Sequence, residues 1–302
     1  MLRDAALDIL LTPTGRVYVD GTLGGGGHAE EICRRMDPAA ILICMDADED
    51  AIRFAKERLI ALNRPVVFVH SNFKFLGLEL RSRNIHFVDG LLLDLGVSSF
   101  QLDSPSKGFS FRSDGGIDMR LDRRQERSGR NVVNEYSEQQ LANVLWNYGE
   151  ERNSRRIAKA IVRHRPIDST GALRDAVRAA TGERFLVKTL ARVFQAIRIE
   201  VNDELGSLDR VLNDALPMLS SGGRMVVISY HSLEDRIVKD FFKVNSASVV
   251  RSGHKFVPDK VTTPILKTIT RKPIVPDDEE VERNPRARSA RLRAAERLMA
   301  GA

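Results

Sequence analysis

The fold is decided by the stretch Asp20-Gly-Thr-Leu-Gly-Gly-Gly-Gly-His28, which follows a short apolar run, Val17-Tyr-Val19. Its glycines allow tight turns and let a ligand approach the backbone closely. Beyond it, apolar residues recur at helical spacing from Ala29 to Met36. We interpret the stretch as the turn between a buried strand and a helix. Four consecutive glycines favour a ligand-binding role over a plain turn.

The alternation of strand and helix continues along the first hundred residues. Further apolar runs predict strands at 41–45, 66–69 and 87–93, and a helical pattern covers 51–62. Three of the four predicted strands run directly into an acid, namely Asp20, Asp46 and Asp94. This alternation favours a parallel sheet with helices on both faces. Ligands of such sheets bind beyond the carboxyl ends of the strands, where these acids are expected.

The alternation of predicted strands and helices stops after residue 103. Residues 104–130 resemble a loop, and four helical patterns without strands follow before the alternation resumes near residue 205. We therefore predict a discontinuous α/β domain, residues 1–103 plus 203–302, and an inserted helical domain, residues 104–202. The insert carries 19 basic and 12 acidic side chains, a net charge of +7, whereas the whole chain carries +6. An excess confined to one segment favours a polyanionic partner.

The last hundred residues contain one more predicted strand, 225–228, between a turn at 221–223 and a helix at 232–242. The tail after them is interpreted as irregular. It is rich in basic side chains, which we expect to contact phosphates: Arg283, Arg286, Arg288, Arg291, Arg293 and Arg297.

Composition excludes several classes of protein. A chain of 302 residues with 42% hydrophobic and 29% charged residues can bury a core and is not disordered throughout. No apolar run reaches the ~18 residues of a membrane span, and no secretory signal is recognisable, so we expect a cytoplasmic protein without a membrane partner. The two cysteines cannot build a disulfide framework, and Cys44 is expected in the core. The histidines and acids show no metal-ligand spacing, so no catalytic metal is predicted.

The glycine stretch fits two kinds of adenosine-containing ligand. Gly24-x-Gly26-x-x-Ala29 matches the dinucleotide fingerprint, and Asp46 lies twenty residues past Gly26. Asp20-x-Thr22-x-Gly24-x-Gly26 also matches the acidic-x-Gly-x-Gly-x-Gly loop of S-adenosylmethionine enzymes, with Thr at the first glycine place. In both, the acid after the second strand would bind the ribose hydroxyls.

The residues after the fourth predicted strand separate the two ligands. Nothing in the sequence suggests a hydride-transfer apparatus. Asp94 and Gln101 instead supply a carboxylate and an amide where a methyl donor and its acceptor would meet. The alternative for Asp94 is a structural acid that caps the following turn.

Nine stretches of the chain resemble the bacterial 16S ribosomal RNA cytosine-N4 methyltransferase family, RsmH or MraW. They span nearly the whole chain in one order: Asp20–His28, Leu93–Ser99, Gly108–Phe111, Asp118–Asp122, Tyr148–Arg152, Phe194–Ile199, Asn202, Ser229–Arg236 and Asn284–Ser289.

The resemblance implies a class I, Rossmann-like α/β methyltransferase sheet with an inserted all-helical domain. It implies methyl transfer from S-adenosylmethionine to the exocyclic amine of a cytidine in the decoding centre of 16S rRNA, with the small ribosomal subunit as partner. Asp94 is the candidate catalytic residue. By matched position, the implied cofactor contacts are Gly26, Gly27, His28, Asp46, Phe73, Asp94 and Gln101.

Two departures from related patterns concern the target base. Phe100 stands where the family commonly has proline, and Asp94-Leu-Gly-Val97 lacks the double proline and aromatic residue of amino-methyltransferases that flip DNA bases. The aromatic residue that stacks on the target base is therefore not assigned.

One helix of the insert is the candidate RNA contact. Its cations fall largely opposite Ile157 and Ile161, and the alternative is a solvated face. The candidate RNA-binding residues are Arg152, Arg155, Arg156, Lys159 and Arg163. His231, after the fifth strand, is interpreted either as an RNA or pocket contact or as a structural hydrogen-bonding group.

Two functions from other classes stay open. A nicotinamide-dependent dehydrogenase fits the glycine loop and Asp46. A ribosome assembly factor that binds RNA without catalysis fits the basic insert.

Overall fold

The computed structural model describes residues 1–250 and 259–299. The chain divides into two compact units, of which the first comprises Met1–Gly96 and Ser207–Ala302 and the second comprises Val97–Gly206. The strands are β1 (Val17–Asp20), β2 (Ile41–Asp46), β3 (Val66–His70), β4 (Val88–Asp94), β5 (Leu219–Ser229), β6 (Val249–Val250), β7 (Lys260–Val261), β8 (Leu266–Thr268) and β9 (Arg291–Arg297). The helices are α1 (Arg3–Leu10), α2 (Gly27–Arg35), α3 (Glu49–Ile60), α4 (Leu76–Arg81), α5 (Ser99–Leu102), α6 (Gly129–Glu135), α7 (Glu138–Gly149), α8 (Ser154–Arg163), α9 (Thr170–Thr181), α10 (Leu186–Asn202), α11 (Glu204–Ala215), α12 (Ser232–Asn245) and α13 (Asp278–Arg283).

The first unit is built on one sheet, whose described strands follow the order β3-β2-β1-β4-β5-β9-β8. Strands β1 to β5 pair in parallel, and β9 runs antiparallel to both of its neighbours. A parallel sheet with one antiparallel strand next to an edge is the arrangement of class I methyltransferases. The predicted α/β fold class is therefore confirmed.

Helices cover both faces of this sheet, so its central strands are apolar on both sides. Successive side chains of a strand point to opposite faces. Val19 and Leu91 accordingly pack in one buried cluster, whereas Tyr18 and Leu92 pack in the other. Cys44 is fully buried in the second cluster, as predicted.

The strand order places the topological switch point between β1 and β4. After β1 the chain adds β2 and β3 on one side, and it then crosses over to add β4 and β5 on the other. Ligands of doubly wound sheets bind outside the carboxyl ends of the strands at this point. Asp20, Asp46 and Asp94 are the last residues of β1, β2 and β4.

The prediction of an irregular tail is wrong. Strand β9 lies between β5 and β8, and its Leu292 and Ala294 are fully buried. The arginines of this segment break the apolar pattern by which a strand is recognised in the sequence. Arg293 is nevertheless buried, and its Nε lies 2.7 Å from Asp235 Oδ1 on α12. Arg291 binds the same carboxylate at 3.2 Å. These two arginines stabilise the fold and are not free for phosphates.

The predicted turn at 221–223 is part of β5 in the structure. The pairing between β4 and β5 shifts register there, since Val88 faces Leu219 but Gly90 faces Arg224. The extra residues of β5 therefore bulge out of the ladder without ending the strand.

The second unit is helical around a core of its own. Its four predicted helices correspond to α7, α8, α9 and α10, and the capping box of Ser137 and Gln140 starts α7 as the sequence indicates. Helix α6 was not predicted. The assignment of residues 104–202 as a separate RNA-recognition domain stays a prediction. In the parts of the chain that the structure describes, no helix is long and apolar enough to cross a membrane.

Candidate active site and candidate RNA interface

The glycine loop between β1 and α2 is held by hydrogen bonds to both neighbouring strands. Gly21 N–H donates to the Leu92 carbonyl on β4, and Leu23 N–H donates to the Met45 carbonyl on β2. Gly26 has a φ of +77°, and a Cβ there would lie 2.9 Å from the Ala55 side chain. Glycine is therefore required at Gly26 both by the left-handed backbone and by the close approach of α3.

Open space borders the start of α2. A Cβ on Gly27 would meet no atom within 4 Å. Because the first N–H groups of a helix have no partner within the helix, they can bind polar groups of a ligand in such a space. Gly26 and Gly27, both predicted cofactor contacts, thus flank a surface that a ligand could reach.

The Asp46 carboxylate accepts hydrogen bonds both from the glycine loop and from the turn that follows β2. Its Oδ2 accepts a hydrogen bond from Gly24 N–H at 2.7 Å, and its Oδ1 accepts one from Asp48 N–H at 2.9 Å. Each carboxylate oxygen can accept a second hydrogen bond, so these contacts are compatible with a diol as a further donor. Phe73 follows β3, and its Cβ lies 3.6 Å from the position that a Cβ on Gly21 would take. The structure therefore brings Asp46 and Phe73 to the same loop.

Asp20 is buried behind the loop. Its Oδ1 accepts a hydrogen bond from Thr22 N–H at 3.1 Å, but its Oδ2 has no hydrogen-bond partner among the described residues. Burial and, to a smaller extent, the nearby charges of Asp94 and Asp46 raise the pKa of the Asp20 carboxyl to about 7, against the opposing hydrogen bond from Thr22 N–H. The remaining carboxylates beside the loop, those of Asp46 and Asp94, make the site favourable for a positively charged ligand.

Asp94 is the centre of a hydrogen-bonded group at the end of β4. Its backbone N–H donates to Thr22 Oγ1 at 2.6 Å, which connects β4 to the glycine loop. Its Oδ1 accepts a hydrogen bond from the Tyr230 hydroxyl at 2.6 Å. Its Oδ2 lies 3.5 Å from His28 Nδ1. The structure therefore gathers side chains from β4, the glycine loop, α2 and the end of β5.

His28 is buried near Asp94 and is held in its neutral form. Burial lowers the pKa of its imidazole, although the charge of Asp94 acts in the opposite direction. His28 Nε2 lies 3.2 Å from the Met1 carbonyl oxygen. A neutral ring has one N–H, and when Nε2 carries it, Nδ1 has no proton to donate to Asp94.

Gln101 belongs to the second unit. Its side-chain oxygen accepts a hydrogen bond from Ser98 N–H at 2.8 Å in the capping box that starts α5. A shared pocket for Gln101 and Asp94 stays a prediction, as does the absence of a catalytic metal.

Tyr230 was missed by sequence reasoning, which singled out its neighbour His231. The rule that found Asp94 also applies to Tyr230, because it directly follows a buried strand. His231 instead caps α12 from the position before the helix, where its Nδ1 accepts a hydrogen bond from Glu234 N–H at 3.4 Å. In the structure, His231 therefore acts as a structural hydrogen-bonding group, the second of the two interpretations given from the sequence.

The exposed face of α8 differs from the other basic surfaces of the second unit. The helix buries Ile157, Ala158 and Ile161. The five candidate RNA-binding side chains are all exposed, and within the described residues none forms an ion pair: Arg152, Arg155, Arg156, Lys159 and Arg163. Arg152 precedes the helix, which begins at Ser154. By contrast, Arg130 pairs with Asp168.

Comparison with known proteins identifies the family. The model of the MraW methylase family matches residues 1–298. The chain belongs to this family. A relative from Carboxydothermus hydrogenoformans, named ribosomal RNA small subunit methyltransferase H, is 47% identical over 305 residues, which cover 99% of this chain and 97% of the relative. A protein of the same name from Clostridioides difficile is 43% identical over 304 residues, with 99% and 97% covered. The resemblance to the MraW methylase family that the sequence motifs indicate is therefore confirmed.

Proposed function

We propose that this MraW family member transfers a methyl group from S-adenosylmethionine to the N4 amine of a decoding-centre cytidine in 16S rRNA, in the cytoplasm. The relatives' names support the ribosomal RNA of the small subunit as substrate. The observation that carries the proposal is the position of Asp94, whose carboxylate lies at the switch point beside the glycine loop.

The residues around the glycine loop fit this cofactor. S-adenosylmethionine carries an adenosine, a methyl sulfonium and an amino-acid moiety, and when bound it supplies an activated methyl group. The carboxylates of Asp46 and Asp94, which lie beside the loop, favour its positive charge. Asp46 would accept the ribose hydroxyls, and Phe73 would lie beside the adenine. Gly26, Gly27 and His28 would complete the contacts from the loop, and Gln101 those from the segment after β4.

Asp94 would position the acceptor amine. The N4 lone pair of cytosine is delocalised into the ring, so the amine is a weak nucleophile, and its orientation relative to the methyl group matters most. A carboxylate oxygen that accepts a hydrogen bond from N4 would orient the amine and stabilise the positive charge that develops on it.

The second unit would bind the RNA. The exposed cations of α8, which have no ion-pair partner among the described residues, are suited to phosphates, because neutralising phosphates releases the counterions condensed on the RNA. The target cytidine must leave its stack to reach a pocket at the sheet, as other enzymes that modify bases require.

Labelled S-adenosylmethionine tests the proposal. The protein is incubated with small ribosomal subunits and, in parallel, with free 16S rRNA, and the RNA is digested to nucleosides. We expect the label in N4-methylcytidine, and nuclease fragments of the same labelled RNA should locate it in the decoding centre. A label in another nucleoside would contradict the proposed substrate. RNA binding without label would favour the assembly factor.

A further inference from the structure

The two oxygens of the Asp94 carboxylate are in different environments. Oδ1 accepts the short hydrogen bond from the Tyr230 hydroxyl, at 2.6 Å. Among the residues that the structure describes, the polar group paired with Oδ2 is His28 Nδ1, at 3.5 Å. Because neutral His28 can use its single proton toward the Met1 carbonyl, Oδ2 keeps its capacity to accept a hydrogen bond.

Tyr230 is itself fixed from several directions. Its backbone N–H donates to Glu234 Oε2 at 2.8 Å, and Glu234 is buried within the capping box of α12. Its ring lies against Gly96, where a Cβ would come within 3.6 Å of the Tyr230 Cδ2 atom. Burial, and then the charge of Asp94, raises the pKa of the phenol, so the hydroxyl stays protonated as a donor.

We propose that Tyr230 is a positioning residue, which holds Oδ1 of Asp94 so that Oδ2 alone faces the acceptor amine. A carboxylate can otherwise rotate about its Cβ–Cγ bond, and either oxygen could meet the amine in varied geometries. The phenol removes this freedom before the substrate arrives, as preorganised sites require. This inference rests on the proposed function.

The test compares Tyr230→Phe with the wild type in single-turnover methylation of small subunits at saturating cofactor. The substitution keeps the ring and removes only the donor. We expect the rate to fall roughly ten- to hundredfold, the loss typical of a hydrogen bond to a charged group. Cofactor affinity, measured by calorimetry, should stay near the wild-type value.

The double variant Asp94→Asn plus Tyr230→Phe shows whether Tyr230 acts through Asp94. If it does, Tyr230→Phe slows the Asp94→Asn enzyme much less than it slows the wild type. Tyr18→Phe is the matched control, since its hydroxyl bonds the backbone of Thr12, away from the loop. We expect this control to react at the wild-type rate.

Three results would overturn the inference. The first is a normal rate for Tyr230→Phe, and the second is a pair of rate losses that multiply in the double variant. The third is a loss of cofactor affinity in Tyr230→Phe as large as its loss of rate. Each leaves the proposed function intact as long as the wild type forms N4-methylcytidine. A normal rate for Asp94→Asn would instead remove the proposed role of Asp94 itself.

Discussion

The carboxyl end of the sheet and the exposed face of α8 hold their charged groups in opposite ways. At the sheet, Asp20, Asp46 and Asp94 each accept a hydrogen bond from a loop N–H or a tyrosine hydroxyl. On α8, Arg155 and Lys159 are exposed and have no ion-pair partner in the described residues. Acids held by hydrogen bonds suit one small ligand of defined shape, whereas exposed cations without ion-pair partners suit a polyanion. Substitutions at the sheet should therefore change cofactor binding and the methylation rate, whereas substitutions on α8 should change binding to the small subunit.

The largest effect is expected for Asp94→Asn, which keeps the shape of the side chain and removes its charge. If Asp94 orients the amine, single-turnover methylation at saturating cofactor should slow by ~10²–10³. If Asp94 mainly holds the cofactor, affinity should fall while the saturated rate stays near normal. We expect a mixed result with a clear loss of rate.

Asp89→Asn is the control for that experiment. Asp89 lies on the same strand, β4, but near its other end, where its carboxylate accepts hydrogen bonds from Arg16 and Val17 N–H at 2.8 and 3.0 Å. It should leave the methylation rate unchanged. A near-normal rate for Asp94→Asn would show that the fixed acid at the sheet has no role in the chemical step.

The next effect concerns Asp46→Ala. Loss of a charge-assisted hydrogen bond to the ribose should weaken cofactor binding by ~1.5–3 kcal/mol, about ten- to hundredfold. Because Asp46 also holds Gly24 N–H, part of that loss would come from a looser loop. Calorimetric titration measures the affinity. Asp37→Ala removes a partly exposed turn acid that accepts from Ala39 N–H and pairs with Arg16, and this variant should bind the cofactor normally. Unchanged affinity of a folded Asp46→Ala protein would remove Asp46 from the cofactor site.

How much the sequence predicts differs between the two regions for a physical reason. The acids at the strand ends and the cations of α8 follow from local patterns, since strand termini and helix faces are set by neighbouring residues. Strand β9 and Tyr230 do not. Arg293 is acceptable inside the sheet only because Asp235, fifty-eight positions away, neutralises it.

The same limit applies to the site. Tyr230 meets Asp94 across a separation of 136 residues, and no local pattern encodes that contact. The sequence likewise predicts Asp46 as a ligand contact but not its bond to the glycine loop. Residue types at strand ends are thus predictable, whereas the hydrogen bonds between them require the packed sheet.

A smaller effect should appear in stability as a function of pH. Since burial raises the pKa of Asp20 from its usual value near 4 to about 7, the folded protein retains this proton where the unfolded chain has lost it. The resulting stabilisation is complete below pH 4 and is lost as the pH rises through 7. Between pH 5.5 and 7.5, it should fall by on the order of 2 kcal/mol.

Urea unfolding of the full chain at pH 5.5 and 7.5, followed by circular dichroism, measures this difference. Asp20→Asn should reduce the pH dependence, because an amide does not titrate. Trp146 is the single tryptophan and lies in the second unit, whereas Asp20 lies in the first. The fluorescence of Trp146 therefore follows the unfolding of the unit that does not contain Asp20. An identical pH dependence in wild type and Asp20→Asn would show that Asp20 is ionised in the folded protein.

The smallest effect is expected on the exposed face of α8. Charge reversal of Arg155 and Lys159 to Glu should weaken binding to small subunits about tenfold at moderate salt. Each lost phosphate contact should also reduce the slope of log affinity against log salt by roughly 0.7–0.9. Arg130 and Arg178 provide the matched control, because they lie in the same unit but pair with Asp168 and Asp175. Reversing them changes the net charge equally, so any difference between the two double variants comes from the α8 surface and not from long-range charge. Equal binding and equal salt slopes for both would mean that α8 presents only a solvated face, and the RNA would then have to bind elsewhere.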